Sequence, residues 1–80
     1  MTYRDLYQLT AETDTQRIEN DGNGNAIYIG KTAPGTSTSE EAWQIRKLTY
    51  LNGLVVQIDF ASGSPAYAFA WDNRATYTYS

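Results

Sequence analysis

Apolar and polar positions alternate with a period of two over much of the chain, the spacing of strands rather than helices. The clearest case is 43–60, where "WQIRKLTYL" and "LVVQIDF" flank Asn52-Gly53. Asn-Gly between alternating segments predicts a two-residue hairpin turn, because both central residues of that turn need φ > 0. Such a loop sets Leu51 against Leu54. Counting outward without interruption, it sets Thr49 against Val56, Lys47 against Ile58 and Ile45 against Phe60. Trp43, Ile45, Leu51, Leu54, Val56, Ile58 and Phe60 then share the expected core face, where Lys47 must snorkel to an edge. On the other face Arg46 meets Asp59 as an opposite-charge cross-strand pair.

Further along, Tyr67, Phe69 and Trp71 alternate with Ala66, Ala68 and Ala70, and Ala75, Tyr77 and Tyr79 alternate with Arg74, Thr76 and Thr78. With Asp72-Asn73 as a tight turn, this predicts a second hairpin of strands 67–71 and 75–79. A weaker pair, 17–20 and 27–30, flanks "DGNGN" and carries an apolar face of Ile18, Ile27 and Ile29. Residues 32–41 read as a connection, with Ala33-Pro34-Gly35-Thr36 fitting a type II turn. At the start, Thr2 and Asp5 have capping-box spacing, and Tyr3, Leu6, Tyr7 and Thr10 would share a helical face. An extended arm fits equally. Together these elements predict an all-β chain: a small antiparallel β-sandwich or half-closed barrel of about five or six strands over 15–80, preceded by an N-terminal arm or short helix over 1–14.

Composition narrows the chemistry. The chain has 80 residues, a net charge of −3, and neither Cys nor His. A single domain this small buries only about 60–65% of its unfolded surface and usually needs a staple. Disulfides and thiolate metal sites are excluded, which leaves a partner chain or further copies of the same chain. The absence of His also removes the commonest general base. Lys and Arg are scattered singly, so nucleic acid is not an expected partner. No apolar run approaches the ~20 residues of a membrane-spanning helix, and the first residues do not read as a secretory signal.

Local motifs add little. Asp21, Asn23 and Asn25 have the spacing that opens a calcium loop, but Ala26 stands where the loop needs Gly, and Thr32 where it needs a bidentate Glu. Gly30-Lys31-Thr32 matches the end of a phosphate-binding loop, yet Pro34-Gly35 blocks the helix that must follow. No pair of carboxylates stands beside a nucleophile. The expectation is therefore no catalytic residue, no metal and no cofactor.

One repetition stands out: "AWQIRKLTY" from Ala42 and "AWDNRATYTY" from Ala70 both spell Trp-x-x-Arg and then Thr-Tyr. Each Trp can plug one end of a thin core with its Arg on a wetter face, Trp and Arg can form an interface hot spot, or an exposed Trp can stack on carbohydrate. The interface candidates are Tyr3, Leu6, Tyr7, Trp43, Tyr67, Trp71, Arg74, Tyr77 and Tyr79.

These residues also carry a resemblance. Tyr28-Ile29-Gly30 with Pro34-Gly35, then Trp43, Ile45 and Lys47, then Ala61 and Gly63, then Trp71-Asp72 and Arg74, resemble a pattern of short structural proteins and terminal domains of tailed bacteriophages. The first hairpin turn departs from that pattern, with "LNG" in place of a longer Asp/Gly/Asn-rich loop. The resemblance implies a non-enzymatic component of a phage virion, assembled in the bacterial cytoplasm. It would bind other virion proteins and copies of itself at the capsid, neck or tail. The alternative it leaves open is a receptor- or glycan-binding module at a fibre tip.

Overall fold

The computed structural model describes residues 13–80. The expected arm or helix lies mostly outside the described residues, as do Tyr3, Leu6 and Tyr7. Strands β1 (Thr15–Asn20), β2 (Ala26–Thr32), β3 (Gln44–Leu51) and β4 (Leu54–Phe60) form one antiparallel sheet in the order β1-β2-β3-β4. The all-β expectation holds. Among the described residues the sheet has four strands rather than five or six, and the C-terminal segment lies on one of its faces where a second sheet was expected.

The hairpin between β3 and β4 closes as its sequence predicts. Asn52 and Gly53 both have positive φ, 53° and 80°, and Leu51 pairs with Leu54. Two residues further on the register shifts. Tyr50 pairs with Val55, but Thr49 pairs with Gln57, so Val56 is an extra residue, a β-bulge. Beyond it Leu48 pairs with Ile58, Lys47 with Asp59 and Arg46 with Phe60. The expected Arg46–Asp59 pair therefore does not form. The Arg46 guanidinium lies over the Phe60 ring at 5.3 Å, and the Asp59 carboxylate accepts the Gln57 amide. Because a one-residue slip moves every following side chain to the other face, Ile58 and Phe60 lie opposite Ile45 rather than beside it.

The expected second hairpin does not form either. Residues 67–71 and 75–79 make single bridges to other parts of the chain, Phe69 to Trp43 and Tyr79 to Ala61. Between them Trp71–Thr76 winds into a 3-10 helix. Asn73 N–H donates to Ala70 O, the Thr76 hydroxyl to Asn73 O, and Arg74 Nη1 to Trp71 O, so side chains in this stretch satisfy backbone groups that a strand ladder would otherwise use. Residues 78–80 then run along the outer edge of β4. Phe60 and Ser80 exchange N–H···O bonds of 3.1 and 3.2 Å, and Ser62 N–H donates to Thr78 O at 2.6 Å.

Alternation along the paired strands divides the sheet into two faces. Tyr28, Gly30 and Thr32 of β2 share the covered face with Trp43, Ile45 and Lys47 and with Arg17 and Glu19 of β1. Trp43, Ile45, Ala61 and Trp71 are its buried centre, with Tyr28, Phe69, Tyr77 and Tyr79 packed around them. Ile18 and Ile29, expected with Ile27 as a core face, pair with each other and project from the opposite side, while Ile27 is the extra residue where the β1–β2 register shifts. Leu51, Leu54, Val56 and Ile58, also expected in the core, are all more than half exposed.

Candidate interaction surface

The two Trp-x-x-Arg motifs meet in space but are built differently. Trp43 and Trp71 stack with ring centroids 5.9 Å apart over Gly30. Trp43 also donates its indole N–H to Ser37 O at 3.0 Å, which fixes the loop between β2 and β3. On β3 a three-residue step crosses the sheet, so Arg46 leaves Trp43 for the other face, where it bonds Gln44 Oε1. In a 3-10 helix residues three apart eclipse, so Arg74 lies directly over Trp71, with its guanidinium carbon 4.6 Å from the ring. Arg74 Nε also bonds Glu19 Oε1 at 2.7 Å and ties the 3-10 helix to β1.

The closing tyrosines complete this packing. Tyr77 sets its ring edge-on to Phe69 at 5.1 Å, and its hydroxyl accepts Ala70 N–H. Tyr79 packs against Tyr28 and donates its hydroxyl to Arg74 O at 2.7 Å. Burial pushes the Tyr79 phenol above its ordinary range. The neighbouring Tyr28 and Tyr77 push it the same way, and Arg74 opposes them.

Of the described interface candidates, Trp43 and Trp71 are buried, and Arg74, Tyr77 and Tyr79 are half-buried around them. The hot-spot alternative for the twin motif thus has its rings inside the domain. Tyr67 is the most exposed candidate, at 47%, and donates its hydroxyl to Asp14.

Apart from Leu51, Leu54 and Val56 beside the hairpin turn, the accessible apolar surface lies elsewhere. Ile18, Ile29, Leu48, Tyr50, Val55, Ile58 and Phe60 share the open face of the sheet. Among the described residues Pro65 reaches the Gln44 end of this face through a 2.8 Å bond, and no strand or helix covers the rest. Ile18, Val55 and Ile58 expose 56%, 46% and 52% of their surface. No acidic residue lies on the paired strands of this face, and Lys31 and Arg46 are its cations. The sequence held one sign of it: no charged residue occurs from Leu48 to Ile58.

The motif-level alternatives have local explanations. Asp21 Oδ1 accepts the N–H groups of Asn23 and Asn25 at 2.8 and 3.0 Å, which closes the loop between β1 and β2 on itself. Gly30 and Thr32 of the "GKT" stretch are strand residues on the covered face, where the Thr32 hydroxyl donates to Ala42 O. Among the described residues no group of three acidic side chains gathers, and no cleft forms. No protein-family model matches the chain, and neither a curated protein nor a solved structure shows significant similarity to it.

Proposed function

We propose that the chain is a non-enzymatic structural component of a tailed-phage virion, held by other virion proteins in several symmetric copies at the capsid, neck or tail. The observation that carries this proposal is the division of labour between the two sheet faces. The residues that resemble the phage pattern, Tyr28, Gly30, Trp43, Ile45, Trp71 and Arg74, converge on the covered face and hold the fold together. The open face keeps Ile18, Val55 and Ile58 exposed. An exposed apolar patch with a polar rim is the usual mark of a protein–protein contact. The fibre-tip alternative has less support, because both Trp rings that would stack on a sugar are buried.

Mass spectrometry of purified virions tests the proposal. The chain should be present in many copies, and Ile18→Lys should fold yet fail to enter particles, because it places a charge on the open face. Absence of the wild-type chain from virions would end the structural reading and bring the fibre-tip module forward.

A further inference from the structure

We propose that two copies of this chain join through the outer edges of β4, pairing antiparallel with Val55 of one copy against Ile58 of the second. The pairing would make one eight-stranded sheet from the two four-stranded ones.

The two edges of the sheet differ in how they are guarded. β1 carries Arg17 and Glu19, the kind of charge that keeps an edge strand from adding neighbours. β4 carries no charge from Leu54 to Ile58. Its outer edge already accepts a strand at one end, where residues 78–80 bond to Phe60 and Ser62. The unguarded stretch is thus the continuation of an edge that the fold itself uses.

The bulge decides which backbone groups remain free. Phe60 and Ser62 point their N–H and C=O groups outward to Ser80 and Thr78, so Ile58, two residues before Phe60, points outward as well. At the turn, Leu54 closes the hairpin against Leu51 and points inward, so Val55 points outward. Without the extra Val56 these two requirements would conflict. With it, Val55 and Ile58 are the outward-facing residues between the turn and Phe60. A two-fold axis perpendicular to the sheet sets Val55 against Ile58 twice, and the bulge occurs at the same step in both strands.

Side chains agree with this register. Val55 pairs with Tyr50 and Ile58 with Leu48, so both project from the open face. Directly opposed residues on neighbouring strands project to the same side, so the two copies would present their open faces together. Each Val55–Ile58 contact is apolar, and no like charges meet within 54–58. The join stops where Ser80 holds Phe60.

The pairing rests on β4 alone and stands whether or not the chain enters virions. Sedimentation of the full-length chain over a range of concentrations tests it. The wild type should sediment at twice the chain mass, Ile58→Lys at the chain mass, and Ile18→Lys, on the same face but on the other edge, at twice the chain mass. Amide exchange gives a second measure that needs no variant: the Val55 and Ile58 amides should be protected, more so at higher concentration. A wild-type monomer at every concentration, an assembly larger than two, equal dissociation by Ile18→Lys, or unprotected Val55 and Ile58 amides would overturn it. Virion incorporation is read separately, so either proposal can fail without the other.

Discussion

Gly30 lies beneath Trp71 so closely that a Cβ at position 30 would stand 2.5 Å from Trp71 Cε3 and 3.0 Å from Trp43 Cε3. The missing side chain is what lets two indoles sit on the middle of a sheet. The nearest atoms belong to rigid rings packed in the core, so they cannot swing away as the end of a Lys would. Gly30→Ala should therefore destabilise the domain by about 1–3 kcal/mol, the usual cost of overpacking. Denaturant unfolding followed by Trp fluorescence measures it, and an unchanged midpoint would show that the indoles can shift freely.

Arg74 combines an ion pair, a ring contact and a bond from Nη1 to Trp71 O, and the first can be separated from the others. Its bond to Glu19 joins two partly exposed side chains, for which about 0.2–1 kcal/mol is typical. Its stack on Trp71 adds a cation–π contact worth about 0.5–2 kcal/mol. Arg74→Ala should therefore cost more than Glu19→Gln, and the excess should survive high salt. Equal losses from the two variants, both erased by salt, would mean that the ion pair alone matters.

Much of the sheet is legible from alternation and turn chemistry. "TQRIEN", "AIYIGK" and the Asn52-Gly53 hairpin all form strands near their expected positions. The bulge at Val56 is not legible, because nothing in "LVVQI" distinguishes a regular strand from one with an extra residue. A count that omits the bulge places Ile58 and Phe60 on the core face. The C-terminal segment misled differently. Alternating Ala and aromatic residues from Ala66 to Trp71 have strand spacing, yet their environment is set by the niche over Gly30, a contact distant in sequence. The isolated Trp-x-x-Arg motif could not reveal its own backbone, since the same three-residue step separates the pair on a strand and joins it on a 3-10 helix.

The register of the long hairpin is directly measurable. Cross-strand proton contacts should connect Leu48 with Ile58 and Lys47 with Asp59, not Leu48 with Gln57 or Arg46 with Asp59. Contacts in the second pattern would remove the bulge and, with it, the outward pairing of Val55 and Ile58.

The turn itself has a separate test. Gly53 has φ of 80°, a conformation that a β-branched side chain resists. Gly53→Val should cost more than about 1 kcal/mol. An unchanged melting temperature would show that the turn relaxes into another form without loss.

Tyr79 couples stability to alkaline pH. Its phenol lies above the ordinary value of 10.0 in the folded chain, chiefly through burial, with Tyr28 and Tyr77 adding to the effect. The folded state therefore holds this proton more tightly than the unfolded state does. Below the unfolded value, about pH 10, the contribution is fully present. As pH rises further the unfolded chain loses the proton first, so stability falls until the folded phenol also ionises. Tyr79→Phe removes the titrating group and the hydrogen bond to Arg74 O together. It should lower stability at neutral pH by about 0.5–1.5 kcal/mol, the net worth of one neutral hydrogen bond. It should also flatten the decline above pH 10, so the two stability curves converge as pH rises. Denaturant midpoints of both proteins across that range measure the convergence. Parallel curves would mean that Tyr79 titrates in the folded chain as it does in the unfolded one, and that its place between Tyr28 and Arg74 has no electrostatic consequence.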